Sequence, residues 1–431
     1  MHRRALILVE GHSGNGLLYV QAAQRLGLHP ITLSAHPARY DYLATESAEV
    51  IRVDTDNLDA LIHECSRLGA TYQIAGITGF SGDDELAYAM VGKLCQHFDL
   101  PGPDPASVER CCDKFVQRQV LAEAGVPMPA HRVAANAKHV ESAAAEIGLP
   151  VVLKPATGSG SIGVRLCRSV DELAKHTSYL LDGTHIWRSS PRILVEEFAK
   201  GKFYYADIMG NEVFEIAAAD FGPPPDFVFR EFAYPAPITA DDYKRICGIS
   251  LSCLQALGLG WGPTNIEFRW TERGPVVIEV NPRLGGAPAS QLPQLAYGVD
   301  LITEHITLVT GDASNLHRRR SHTAAARYLL PDRDGNLDWI DGGGQAAAVS
   351  GVAEVKFYVK PMTPIVRKGD YRDRIGHVVA ASPTLAQTEA ILEQAVDLIS
   401  WSISPFPTRG EQGQSGALRL PARTEVALPK K

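Results

Sequence analysis

A chain of 431 residues is long enough for about three domains, each with its own core. Hydrophobic residues at 45% and charged residues at 21% are ordinary for a globular protein and exclude disorder over most of the length. A net charge of −7 gives no electrostatic footing for nucleic acid or an anionic membrane, and no apolar run approaches the ~20 residues of a membrane helix. The opening "MHRRALILVEGHSG" begins like a secretory leader, but its apolar run stops at Glu10 and reads as a first strand. The seven cysteines show no C-x-x-C and no metal-like spacing with His, so buried reduced thiols in a cytoplasmic protein are expected. The adjacent pair Cys111 and Cys112 reads as packing.

Residues 1 to about 105 alternate strand candidates ("ALILV", "PITLSA", "AEVIRVD", "YQIAGIT") with helical stretches ("GLLYVQAAQRLG", "NLDALIHECSRLG"). This is a βαβ series and predicts a mostly parallel sheet. "GHSGNG" follows the first strand, but its glycines fall as G-x-x-G-x-G, and the second strand ends near Ser34–His36 without an acid for a ribose. Both features argue against a nicotinamide site. The glycines shape a turn or line a substrate site at a helix N-terminus. "PGPDPAS" (101–107) marks a boundary, and "VERCCDKFVQRQVLAEAG" predicts one helix.

"LPVVLKPATGSGSIGVRLCRS" places Lys154 at the end of an apolar strand, then a loop of small residues, then another strand. Gly158, Gly160 and Gly163 let backbone N–H groups approach a phosphate, to which Lys154 adds charge. No G-K-[ST] follows, so this is not a Walker A loop, and a flexible hairpin loop is the plainer alternative. A helix near "VDELAKHTSYLL" and the segment "RILVEEFAKGKFYYADI" come next. "TNIEFRW" and "VVIEVNPRLGG" then form a hairpin about "TERGP". Centred on Arg273, it puts Glu267 opposite Glu279 and Asn265 opposite Asn281. Like charges so placed repel, so a hard divalent cation between them or neutralisation by Arg269 or Arg283 is required. A strand-rich stretch follows, closed by a helix over "TLAQTEAILEQAVDLISWSI", and from about 406 the composition predicts a frayed tail.

Taken in order, Lys114, Lys154 with its glycine loop, "VEEF" (195–198), Glu267, Glu279, Asn281 and Arg283 resemble the ATP-grasp superfamily over roughly residues 1–400. The resemblance implies an α/β and α+β fold. It comprises a Rossmann-like domain (1–108), a lid subdomain with hinge (109–198), a metal-binding catalytic subdomain (199–312), a strand-rich C-terminal subdomain (313–405) and a tail (406–431). It implies that Lys114, Lys154 and Gly158, Ser159, Gly160 and Ser161 of a closing loop (157–163) meet ATP phosphates. Glu196 by its side chain, and Glu197 and Ala199 by backbone, would meet adenine beside Phe198. Glu267, Glu279 and Asn281 would hold Mg²⁺, two ions for which Mn²⁺ can substitute, and catalytic Arg283 would face the transferring phosphoryl group. One departure is Phe203, where relatives carry a ribose-binding acid; Glu212, Asp207 or a backbone group would replace it.

"EVNPRLGG" with "DYRDRIGHVVA" (370–380) looks most like the L-amino-acid ligases, the dipeptide-forming group that includes bacilysin and dapdiamide synthetases. The resemblance implies a carboxylate activated as an acyl phosphate and captured by an amine, with amino-acid substrates, no nucleic-acid or membrane partner, and room for a homodimer. In "FVFREFAYPAPI" (227–238), Glu231 and Tyr234 take the places of a substrate-binding Glu and His, and Gly285 and Gly286 leave backbone open to substrate. A biotin-dependent carboxylase would show "N-x-R-x-Q-V-E-H" where this chain has "NPRLGGAP". A non-catalytic nucleotide sensor would not need both carboxylates and Arg283.

Overall fold

The computed structural model describes residues 2–45, 49–80, 86–183 and 192–407. The first strand, Arg4–Val9, is apolar and fully enclosed from Ala5 to Val9 because it pairs in parallel on both sides, with His29–Ser34 and with Gln73–Gly79. With Glu49–Arg52 these make a four-stranded parallel sheet, as the alternating pattern requires. A second four-stranded sheet, antiparallel, contains His131–Ala134, Ile193–Glu197, Val151–Pro155 and Arg165–Cys167 in that spatial order.

The largest sheet has eight antiparallel strands. Its order is Gly274–Asn281, Pro263–Thr271, Lys202–Met209, Glu212–Phe221, Phe229–Tyr234, Thr323–Leu329, Gly376–Ser382 and Val352–Phe357. The expected division at 312/313 therefore falls inside one continuous sheet: Phe229–Tyr234 pairs directly with Thr323–Leu329. One apolar core runs from Tyr19 and Val20 of the first helix, through Tyr205 and Phe232 of this sheet, to Ile302 and Ile306, so the N-terminal domain and the sheet share an interior.

Two expected helices differ. The predicted single helix at 108–125 is two, Pro105–Cys112 and Lys114–Glu123, broken at Asp113 in an extended conformation (φ −96°, ψ 105°). Asp113 Oδ1 accepts from the N–H groups of Phe115 and Val116, so its side chain starts the second helix. The closing helix ends at Asp397, and Ser400–Ser404 is instead a strand beside Gly335–Asp341, where Ile340 faces Trp401 and Leu337 faces Ile403. β-branched and aromatic residues at alternate positions overrode the helical reading there. Most of the expected tail, 408–431, lies outside the described residues.

The cap gives a direct test. Asp113→Ala should cost about 1 kcal/mol of stability, the usual worth of an N-cap, read as a lower urea midpoint at unchanged slope. An unchanged midpoint would show that the helix does not depend on this residue.

Candidate active site

The site is built from one hairpin, one helix and one loop that converge on a cavity of about 1260 Å³. The hairpin has the predicted register: Asn265 faces Asn281 and Glu267 faces Glu279, with a bulge just after Glu267. Helix Lys114–Glu123 is fastened to the second hairpin strand by Gln117. Its side chain donates to Val280 O (2.8 Å) and accepts from Val280 N–H (2.9 Å). One residue on, Arg118 donates to Ile278 O. This registry sets Lys114 Nζ 2.8 Å from Glu279 Oε1, while its ammonium also donates to Gly158 O of the glycine loop.

A second cation arrives from the strand before that loop. Lys154 pairs with Glu196, whose other oxygen receives Arg118 Nε at 2.7 Å. All three side chains are buried. Burial opposes ionisation of Glu196, but Arg118 and Lys154 outweigh it and hold the carboxyl down to about 2. Burial also lowers the Lys154 ammonium, an effect Glu196 opposes and Arg118 reinforces. Glu279 opposes the lowering as well, so two carboxylates act on this buried cation.

The facing carboxylates differ in the same way. Glu267 makes no hydrogen bond or ion pair among the described residues, and burial together with Glu279 raises its carboxyl above the usual range. Burial works on Glu279 too, but Lys114 and Lys154 prevail and lower it. Arg283 closes the end of the hairpin with only long contacts, to Leu284 O (3.2 Å) and Asn281 Oδ1 (3.4 Å). Two facing oxygen donors, one of them pushed toward its neutral form by burial and by the other, suit a hard divalent ion that would let both ionise and whose remaining ligands come from elsewhere. No group of three or more His, Cys, Asp and Glu side chains able to hold a metal occurs among the described residues.

Loop 157–163 follows as three glycines and a serine with positive φ: Gly158 (112°), Gly160 (66°), Ser161 (63°) and Gly163 (71°). At Gly160 a Cβ would meet the Tyr371 ring at 2.4 Å, and Gly160 O accepts from Tyr371 N–H. The loop therefore bridges the cavity to the far, C-terminal wall. The other loop, "GHSGNG", lines the cavity as well. Its Asn15 accepts from Ala287 N–H and Ser290 and donates to Gly285 O, all at 2.9 Å, which fixes the backbone after Arg283.

Most of the expected residues meet here. Lys114, Lys154, Gly158, Ser159, Gly160, Ser161, Glu196, Glu197, Phe198, Ala199, Glu267, Glu279, Arg283, Gly285 and Gly286 all line the cavity. Three do not. Asn281 is 2% exposed and sits behind Arg283, its amide nitrogen without a partner, while Asn265 opposite it reaches the cavity. Glu231 turns to the other face of its strand and pairs with Arg327 at 2.8 Å. Tyr234 is fully buried, two residues beyond the cavity-lining Phe232, against Tyr297. The substrate loop expected at 227–238 is thus largely strand: the period of two turns Glu231 to the face opposite Phe232, while Tyr234 shares the face of Phe232 but lies in the apolar core beyond the cavity.

The carboxylate of Glu197 points to Arg273 (2.7 Å) and Ala130 N–H, not into the cavity. Phe203, standing where an acid was expected, lies in an aromatic wall with Phe221 and Phe229 under the Arg269 guanidinium. Neither Asp207 nor Glu212 lines the cavity. Sequence reading missed Gln117 and Arg118, because a helix face of K-x-x-Q-R reads as solvated until its partners are known.

Residues 147–291 match the ATP-grasp domain family and residues 327–404 match L-amino acid ligase C-terminal domain 2. The chain is 60% identical over 419 residues to Uncharacterized protein y4rH of Sinorhizobium fredii, covering 97% of this chain and 87% of that one. It is 28% identical to human Carnosine synthase 1 over 260 residues, 55% of this chain but 31% of that longer protein. The L-amino acid ligase of Bacillus licheniformis superposes with a TM-score of 0.76 at 17% identity, over 94% of this chain and all of the other. Fold and site together define an ATP-grasp ligase of the carboxylate–amine class. Within that superfamily, residues 327–404 carry the C-terminal domain of the L-amino acid ligases. No helix among the described residues is long and apolar enough to cross a membrane.

The buried triad predicts a pH signature. A folded carboxyl held at about 2 contributes stability fully above its ordinary value of 4.5 and loses it as pH falls toward 2. Glu196→Gln should therefore cost roughly 3 kcal/mol at pH 7, where it strands two buried cations. In urea unfolding the gap between the two proteins should narrow at pH 3. An equal gap at both pH values would mean that charge is not what Glu196 contributes.

Proposed function

We propose that this protein joins the carboxylate of one amino-acid-like substrate to the amine of an amino acid, activating the carboxylate as an acyl phosphate and releasing ADP and phosphate. The reading rests above all on Glu267 and Glu279 held face to face, with Lys114 at 2.8 Å and Arg283 at the strand end. Opposed carboxylates flanked by cations have little structural use, whereas they suit a metal-bridged polyphosphate. The L-amino acid ligase match over 327–404 supports the choice of reaction.

In this reading Glu267 and Glu279 hold Mg²⁺, which would offset charge on the phosphate oxygens. Asn265, which reaches the cavity opposite Asn281, is placed to share that task. Lys114 and Lys154 exchange carboxylate partners for phosphate oxygens, and the N–H groups of loop 157–163 close over them. A substrate carboxylate oxygen attacks the γ-phosphorus and ADP leaves. Arg283, with only long contacts of its own, faces the negative charge that develops. The amine then attacks the acyl carbon, phosphate departs, and the ammonium proton must be taken up. The closed loop keeps water from the acyl phosphate.

Phosphate release should appear from ATP across a grid of amino-acid pairs, with mass spectrometry showing ADP and a new amide. AMP, or phosphate without an amide for every pair, would overturn the reading. Glu279→Ala should lower turnover on the order of 10²-fold or more, as loss of a group that stabilises transition-state charge does. Two effects on its melting temperature oppose each other, loss of the partner of buried Lys114 and relief of the repulsion at Glu267, so the shift should be smaller than that of Glu196→Gln. Near-normal turnover in Mg²⁺ would remove the metal assignment.

A further inference from the structure

The motif "DYRDRIGH" is not absorbed by the chemistry above, yet Tyr371, Arg372, Arg374 and His377 of it line the same cavity from the C-terminal side, and two of these bear on the chemistry. Arg374 lies over the Tyr328 ring, its guanidinium carbon 4.0 Å from the centroid. Among the described residues that guanidinium makes no ion pair, and its Nε is enclosed without a hydrogen-bond partner. A planar cation left unpaired beside an aromatic wall is equipped for a carboxylate.

The second residue is His377, whose ring stands 6.3 Å from the same Tyr328 centroid and is 2% exposed. Its Nε2 meets Glu354 Oε2 at 3.1 Å, and its Nδ1 meets the Tyr358 hydroxyl. A carboxylate accepts only, so Nε2 carries the hydrogen, Nδ1 accepts, and Tyr358 donates. That leaves the Tyr358 oxygen with lone pairs toward the cavity, which Tyr358, His377 and Glu354 all line. The arrangement is a nucleophile–base–orienter chain with a phenol at its head.

We propose that the amine-donating amino acid binds against this wall, its carboxylate on Arg374 and its ammonium at Tyr358, which relays the ammonium proton to His377. The inference rests on the ligase reading and deepens it. The amine cannot attack while it is an ammonium, because it has no lone pair. One proton passes from nitrogen to the Tyr358 oxygen as the phenolic proton moves to His377 Nδ1. The imidazolium so formed is held by Glu354, and the freed lone pair attacks the acyl carbon. Arg374 fixes an α-amino acid, as opposed to a plain amine, because both ends are then engaged.

Hydroxylamine separates this step from activation, because it is already largely unprotonated at neutral pH and captures acyl phosphates as hydroxamates. Tyr358→Phe should lower peptide formation about 10²-fold, the lower range for general acid–base catalysis, while hydroxamate formation from the same carboxylate stays near wild type. Equal loss of both products, or loss of neither, overturns the relay. Arg374→Gln should raise the KM for the amine substrate roughly tenfold or more, as loss of a charged hydrogen bond does. The KM for the same amino acid as its carboxamide should not move. A shift common to acid and amide, or one confined to ATP or the carboxylate donor, overturns the Arg374 assignment. If the wild-type enzyme forms neither peptide nor hydroxamate, the ligase reading itself fails. Hydroxamate formation without the relay's selectivity leaves that reading intact and removes only the inference.

Discussion

Two carboxylates are held opposite each other inside a protein, and everything around them answers that repulsion. Glu267 and Glu279 face each other because the hairpin register puts them there, and burial sharpens the conflict. Lys114 answers from a helix and Lys154 from a separate sheet, with Glu196 balancing Lys154 and Arg118 together. The electrostatic centre therefore draws on four pieces of chain far apart in sequence. Its charge is only partly compensated: among the described residues Glu267 makes no ion pair, and Arg283 has only long hydrogen bonds. A site left in this state is set to receive a highly charged ligand together with its counterion.

Backbone devices convert that balance into geometry. The Asp113 cap decides where a helix begins, and hence that Lys114 and Arg118, four residues apart, share the face turned to the hairpin. Gln117 then locks the helix to strand Gly274–Asn281 through both hydrogen bonds of Val280. Asn15 performs the same service for the turn after Arg283, spending its side-chain amide on backbone and Ser290. These are neutral hydrogen bonds of modest individual worth, about 1 kcal/mol each, but they fix positions that the charges alone would not.

The sequence made the hairpin legible because strand side chains repeat every two residues and the turn left one sensible centre. The glycine loop was legible for a similar reason, since residues with positive φ announce themselves as glycine. Reading failed where long-range pairing decides. Nothing local tells that Glu231 will face Arg327, or that Tyr234 will lie beneath the cavity wall and not on it. Gln117 and Arg118 look like a solvated helix face until Val280 and Glu196 are seen beside them. Glu354 and His377 come from two paired strands, Tyr358 from just past the end of the first, and Tyr328 from the next strand over, so their grouping exists only in the sheet. The closing helix was overextended because "SWSI" carries no breaker, only a partner strand 60 residues earlier.

The continuity of the eight-stranded sheet across residue 312 bears on how such a protein can diversify. Strand Phe229–Tyr234 and strand Thr323–Leu329 are neighbours, joined from Glu231–Arg327 to Tyr234–Ala324. A graft that exchanged everything after 312 for a relative's C-terminal portion would cut through this ladder. It would also part Glu231 from Arg327 and seat a foreign strand beside the aromatic wall. The portion bearing Arg374 and His377 is therefore not an interchangeable cassette. Recombination between relatives at this point would disrupt the sheet at the very boundary where domain maps would invite it, whereas side-chain replacement along existing strands would leave the ladder intact.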